Sequence, residues 1–165
     1  MVIKYEPLNR RERIVRLFRE AIEAENANDL ETAKRKLDEI LHESIDEEPE
    51  FYFEACFRLA EIFLQEDNYR GAVKCALRGI ARAPNENLYR LGFKRLRDVF
   101  NIIRDSGKVD DLTRDTGSFF SHVGEDETLR AFVDAMVRAA KGEEIEVEFP
   151  IREMNEALSV LKEGP

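Results

Sequence analysis

The stretch FEACFRLAEIFLQEDNYRGAVKCALRGIARAP, Phe53 to Pro84, decides how this chain is read. Phe53, Cys56, Phe57, Leu59, Ala60 and Phe63 recur at three- and four-residue steps, and Ala72, Val73, Ala76, Leu77 and Ile80 repeat the pattern after Asp67-Asn68. That period belongs to amphipathic helices, so the spacing predicts two antiparallel helices over about 50–66 and 69–82. Small residues Ala60 and Ala72 fall where the pair must touch, and Phe63 lies between them. Pro84 closes the unit, because proline lacks an N–H and clashes inside a helix. Ala72→Leu should therefore wedge the hairpin apart.

Outward from this unit, Pro7, Pro49, Pro84, Pro150 and Pro165 punctuate the chain. Upstream, Ile14, Leu17, Phe18, Ala21 and Ile22, then Leu30, Ala33, Leu37, Ile40 and Leu41, predict two further helices, with Asn28-Asp29 between them to cap the second. Downstream a long helix is expected over about 86–105, ended by Ser106-Gly107. A weaker one over about 110–122 carries Leu112, Phe119 and Phe120 around an internal Gly117. A cleaner one follows through Leu129, Phe132, Val133, Met136, Val137 and Ala140, with Glu125, Asp126 and Glu127 at its positive end. Ile151, Met154, Leu158 and Leu161 mark the last.

One segment breaks the helical period. Ile145, Val147 and Phe149 alternate with Glu144, Glu146 and Glu148, which reads as extended chain. A lone strand leaves its backbone groups unpaired. Either it forms a short two-stranded ribbon with Val2–Tyr5 at the termini, or it is a solvated acidic linker. The expected fold class is all-α: an antiparallel helix-hairpin array of about seven or eight helices in a single domain, 1–165.

At 165 residues, 43% hydrophobic and 37% charged, the chain can bury a core and is neither disordered nor membranous. Its N-terminus lacks the basic-then-apolar order of a secretion signal, so a cytoplasmic protein is expected. The net charge of −9 is uneven, with basic excess in 1–20 and 51–100 and acidic excess in 21–50 and 101–165. An acidic chain rarely offers the broad basic face that nucleic acid needs. Cys56 and Cys75 are too few for a disulfide framework or a four-ligand zinc site and read as buried, reduced thiols. The many Glu, Lys and Arg against one glutamine, Gln65, lean towards a thermophile, where a single internal disulfide would be admissible.

Ala33 lies 39 residues before Ala72, and each has a small residue twelve positions upstream, Ala21 and Ala60. With Leu59-Ala60, Phe63, Ala72 and Pro84 in these places, the unit resembles a tetratricopeptide repeat. The likeness is good over 53–86 and degenerate over 14–47 (Leu17, Ala21, Ala24, Ala33, Leu37). Over 87–165 only Leu91-Gly92 hints at a third unit, so capping helices are expected there. A non-repeat helical bundle and other hairpin arrays are the alternatives.

The resemblance implies a superhelix whose first helices form a concave wall. The groove would be lined by Phe18, Ile22, Phe57, Glu61, Leu64, Tyr89 and Phe93, unless Phe18, Phe57 and Phe93 simply join the core. It also implies a non-enzymatic scaffold that binds a peptide or helix of another protein. The Lys and Asn clamp that some family members use for a terminal carboxylate is absent from these wall positions. Alternatives are a homodimer, with 143–149 or the last helix in a neighbour's groove, or an RNA-associated module using Arg10, Arg11 and Arg13 and the stripe Arg90, Lys94 and Arg97.

His42 and His122 stand in no metal-binding spacing, and no phosphate loop or nucleophile elbow occurs. Asp115-Thr116-Gly117-Ser118 spells the aspartic-protease tetrapeptide, but once, in a helical chain. The run Asp46-Glu47-Glu48-Pro49-Glu50 lacks the alternation of a calcium loop. No catalytic residue, metal or cofactor is expected.

Overall fold

The computed structural model describes residues 8–163. Seven α-helices occupy them: α1 (Arg10–Asn26), α2 (Leu30–Ser44), α3 (Pro49–Gln65), α4 (Tyr69–Ala81), α5 (Glu86–Asp105), α6 (Glu127–Ala140) and α7 (Arg152–Lys162). Two 3-10 segments, Val109–Thr113 and Thr116–Phe120, stand between α5 and α6. The fold is all-helical, and among the described residues no helix is long and apolar enough to cross a membrane. The terminal ribbon involves Val2–Tyr5, which lie outside the described residues.

The turns explain why the helices start where they do. Asn28 takes a left-handed φ of 58°, and Asp29 then accepts from the Thr32 N–H at 3.2 Å, satisfying a free donor of α2. Thirty-nine residues on, Asp67 has a φ of 59° and Asn68 accepts from the Gly71 N–H at 2.9 Å. The backbone closes alike, Asp29 N–H to Ala24 O and Asn68 N–H to Phe63 O, both at 2.8 Å. After α5 the reversal recurs, with Gly107 at φ 70° and Lys108 N–H on Ile103 O at 3.0 Å. Here the capping place holds Lys108, a side chain with no acceptor, and a 3-10 segment follows instead of an α-helix. The helix expected over 110–122 is thus corrected to two short 3-10 segments. Asp115, at φ 46° between them, supplies the break.

α1 pairs with α2 and α3 with α4, and contacts of α2 with α3 and of α4 with α5 join the pairs into one stack. α3 is the dividing wall. It gives Tyr52, Ala55, Cys56, Leu59 and Ile62 to a core shared with α1 and α2, and Phe53, Phe57 and Ala60 to the larger core running through α4 to α7. Ala60 and Ala72 are both fully buried, as close approach requires. Gly92 serves the next contact: a Cβ there would stand 2.5 Å from Ile80 Cγ1.

The partner of α5 is not the segment that follows it. α5 packs chiefly against α7, while the 3-10 segments and α6 fill the space beside that pair. The extended reading of 143–149 holds only as irregular chain, with no strand assigned among the described residues. Ile145 and Phe149 are buried and Val147 points out. Asn155 supplies what a neighbouring strand would: its Oδ1 accepts from the Phe149 N–H at 2.8 Å and its Nδ2 donates to the Phe149 carbonyl at 2.9 Å. A single side-chain amide replaces one residue of a β ladder.

Candidate functional site

The first helices of the stack lie side by side. Phe18 of α1 meets Phe51 of α3 with ring centroids 5.8 Å apart, and the Arg11 guanidinium sits 5.1 Å over the Phe51 ring. Further along, Arg58 of α3 reaches Glu25 of α1 at 3.4 Å and Glu54 of its own helix at 3.8 Å. Glu54 in turn takes Arg95 of α5 at 3.1 Å. Glu25, Arg58, Glu54 and Arg95 make a ladder of alternating sign across three helices. Only the Glu54/Arg58 rung, at i,i+4, is legible along the chain. The cross-helix rungs need the packing.

Several of the expected wall residues remain at the surface. Ile22 is 37% exposed, Glu61 is exposed, and Phe18 and Leu64 are half-buried. Burial raises the Glu25 carboxyl above its ordinary range, with Arg58 opposing that rise and Glu61 adding to it. Tyr89 is half-buried and fixed, its hydroxyl donating to Asp126 Oδ2 at 2.8 Å. Burial first, then that carboxylate, pushes its phenol well up.

Two expected residues must be withdrawn. Phe57 is buried beside Phe53, centroids 4.9 Å apart, with Arg95 lying 5.2 Å over its ring. Phe93 is sealed between Tyr89 at 5.2 Å and Phe132 at 4.9 Å. A position one step off the core face is open only on a helix with a single core face. α3 and α5 each contact helices on more than one side, so that step leads into a second core.

The basic stripe is likewise not free. Arg90 pairs with Glu86 at 2.9 Å and with the buried Glu153 of α7 at 3.2 Å, and Arg97 pairs with Glu156 at 3.3 Å. Lys94 stays exposed. At the N-terminal end, Arg10, Arg11 and Arg13 meet Glu47, Glu48 and Glu43, so the acidic run after α2 neutralises the first helix. The last helix cannot fill a neighbour's groove without leaving α5 and α6, on which it packs.

The Asp115-Thr116-Gly117-Ser118 turn is fastened by Arg70, which donates to the carbonyls of Arg114 at 3.1 Å and Asp115 at 3.0 Å and to Ser118 Oγ at 2.8 Å. Its aspartate is exposed and ion-paired to that arginine, without a second carboxylate to share a proton. Cys56 and Cys75 are free thiols, and burial pushes Cys75 up to about 12 and Cys56 higher still. Comparison with protein-family models, with curated proteins and with solved structures finds no match to this chain.

Proposed function

We propose that this chain is a protein-docking module of tetratricopeptide-like design, holding a helix or extended peptide of another protein against the wall formed by α1 and α3. The observation that carries the reading is the recurrence of one turn geometry 39 residues apart, which sets two hairpins in register and brings their first helices together. Solenoid arrays bind in this way because each unit buries its core against its neighbours and leaves one helix of each pair facing a common surface. Ile22, Phe18 and Leu64 supply apolar contact there. Glu61 and the Glu25–Arg58 pair supply polar groups that can exchange partners with a peptide backbone.

A photo-crosslinking amino acid placed at Ile22 or Glu61, with Ile102 on α5 as an exposed control, tests this in the native host. The same protein species joined at both wall positions and not at Ile102 is expected. Adducts equally abundant at Ile102, or none at Ile22 and Glu61, would overturn the reading. Nucleic acid is disfavoured at Arg10, Arg11, Arg13, Arg90 and Arg97, each already matched with a carboxylate, so salt-insensitive binding at the α1/α3 wall is expected.

A further inference from the structure

The outward face of α4 carries cations that the ion pairs do not absorb. Lys74, Arg78 and Arg82 follow at four-residue steps, and among the described residues none of them stands in an ion pair, unlike Arg70 or Arg90. Arg78 and Arg82 line a hollow of about 260 Å³ together with Ile45, Tyr52, Ser121 and His122. The Arg78 Nε donates to the Tyr52 hydroxyl at 2.7 Å, and Tyr52 is itself only 1% exposed. That bond fixes the guanidinium plane and leaves both terminal nitrogens for another acceptor. Both arginines lie over the Tyr52 ring, at 5.8 and 5.4 Å from its centroid.

Cations in the last turn of a helix complement its dipole, which accounts for Arg78 and Arg82 taken alone. It does not account for His122, brought to the same hollow by the loop after the second 3-10 segment. The charges acting on His122 are Arg78 and Lys74, both positive, and with partial burial as the larger cause they lower its pKa. Two guanidinium groups, Arg78 and Arg82, line the hollow with no carboxylate among its walls and with Lys74 one turn back on the same helix face, and in a chain of net charge −9 that local excess of positive charge is one an anion would balance.

We infer that this hollow is a binding site for one phosphoryl-type oxyanion, gripped by the terminal nitrogens of Arg78, by Arg82 and by His122. A guanidinium fork suits tetrahedral oxyanions because two of its N–H groups match two oxygens. At about 260 Å³ the hollow falls below the usual range for a whole drug-sized ligand and fits a single anionic group. The site takes only the buried Tyr52 from α3 and none of the exposed residues of the α1/α3 wall, so its fate is separate from that of the docking reading.

The test is a titration of isotope-labelled protein with inorganic phosphate, ionic strength held constant with chloride, followed through the Arg78, Arg82 and His122 side-chain resonances. Saturable shifts confined to this face are expected. Arg82→Gln and His122→Asn, which touch no buried hydrogen bond, should each weaken binding by about tenfold or more, since each removes one charge-assisted contact. Sulfate, whose charge is constant over this range, should bind more tightly at pH 5.5 than at pH 7.5. The reason is that His122, facing Lys74, Arg78 and Arg82 from α4 and Tyr52 from α3, takes its proton more readily beside an anion. Phenyl phosphate binding more tightly than inorganic phosphate would mark the anion as the end of a larger molecule, and equal affinity would mark it as free anion. Shifts that chloride alone reproduces, or a folded Arg82→Gln/His122→Asn double variant that binds phosphate as well as the parent, would overturn the assignment.

Discussion

Gly92→Ala tests the central packing claim, that α5 can lie against α4 only because position 92 has no side chain. Gly92 is buried inside α5, so alanine would ordinarily stabilise the helix by about 0.8–1.0 kcal/mol. Against that, the added Cβ would meet Ile80 Cγ1 at 2.5 Å, with Ile80 Cδ1 and Phe53 Cε2 each at 3.4 Å. Ile80 Cγ1 is an inner atom of a fully buried side chain, and relieving the overlap must move α4 or α5. Overpacking of this kind costs about 1–3 kcal/mol. The net expectation is a loss of roughly 0–2 kcal/mol, read as a midpoint shift without a change of slope in denaturant melts followed by far-ultraviolet circular dichroism. Ile80→Ala alone should cost about 2–5 kcal/mol, yet the double variant should cost clearly less than the sum, because alanine at 92 then enters the space vacated at 80. A Gly92→Ala protein stabilised by the full helix-propensity gain, or strictly additive changes, would refute the close approach of α4 and α5.

Four further outcomes follow from the same packing. Ala72→Leu, at a fully buried contact of α3 with α4, should lower stability by about 1–3 kcal/mol, and unchanged thermal stability would contradict tight contact there. Asn155→Ala removes both hydrogen bonds to Phe149 and should cost about 1–3 kcal/mol, with faster amide exchange at Phe149; unaltered exchange there would show that another group pairs that backbone. Cys56 and Cys75 should resist a thiol-specific disulfide reagent at pH 8 in the folded protein and react fully in denaturant, since burial keeps both protonated. His122 binds its proton less readily folded than unfolded, so below about pH 6.5 the unfolded chain holds more protons and stability falls as pH falls. His122→Gln should shallow that decline between pH 6.5 and 5 in chloride buffer, and an identical slope in both proteins would remove the cause given.

What is local was legible in the sequence. Helix periods, the paired turns at Asn28-Asp29 and Asp67-Asn68, the Gly107 stop and the small residues at Ala60 and Ala72 each act within a few residues of themselves, so α1 to α5 stand close to where the pattern puts them. What failed was non-local. Phe57 and Phe93 look like groove residues until α3 and α5 are seen to contact helices on several sides, and Arg90 and Arg97 look like a free stripe until α7 lays Glu153 and Glu156 beside them. Periodicity describes one helix at a time and assigns it one buried face. Which second face closes depends on where a helix 59 to 63 residues later docks, and only the tertiary structure decides that. The same holds for the α4 hollow: the stripe Lys74, Arg78 and Arg82 is written in the chain, but its convergence with His122 exists only once the loop after the second 3-10 segment has folded back over α4.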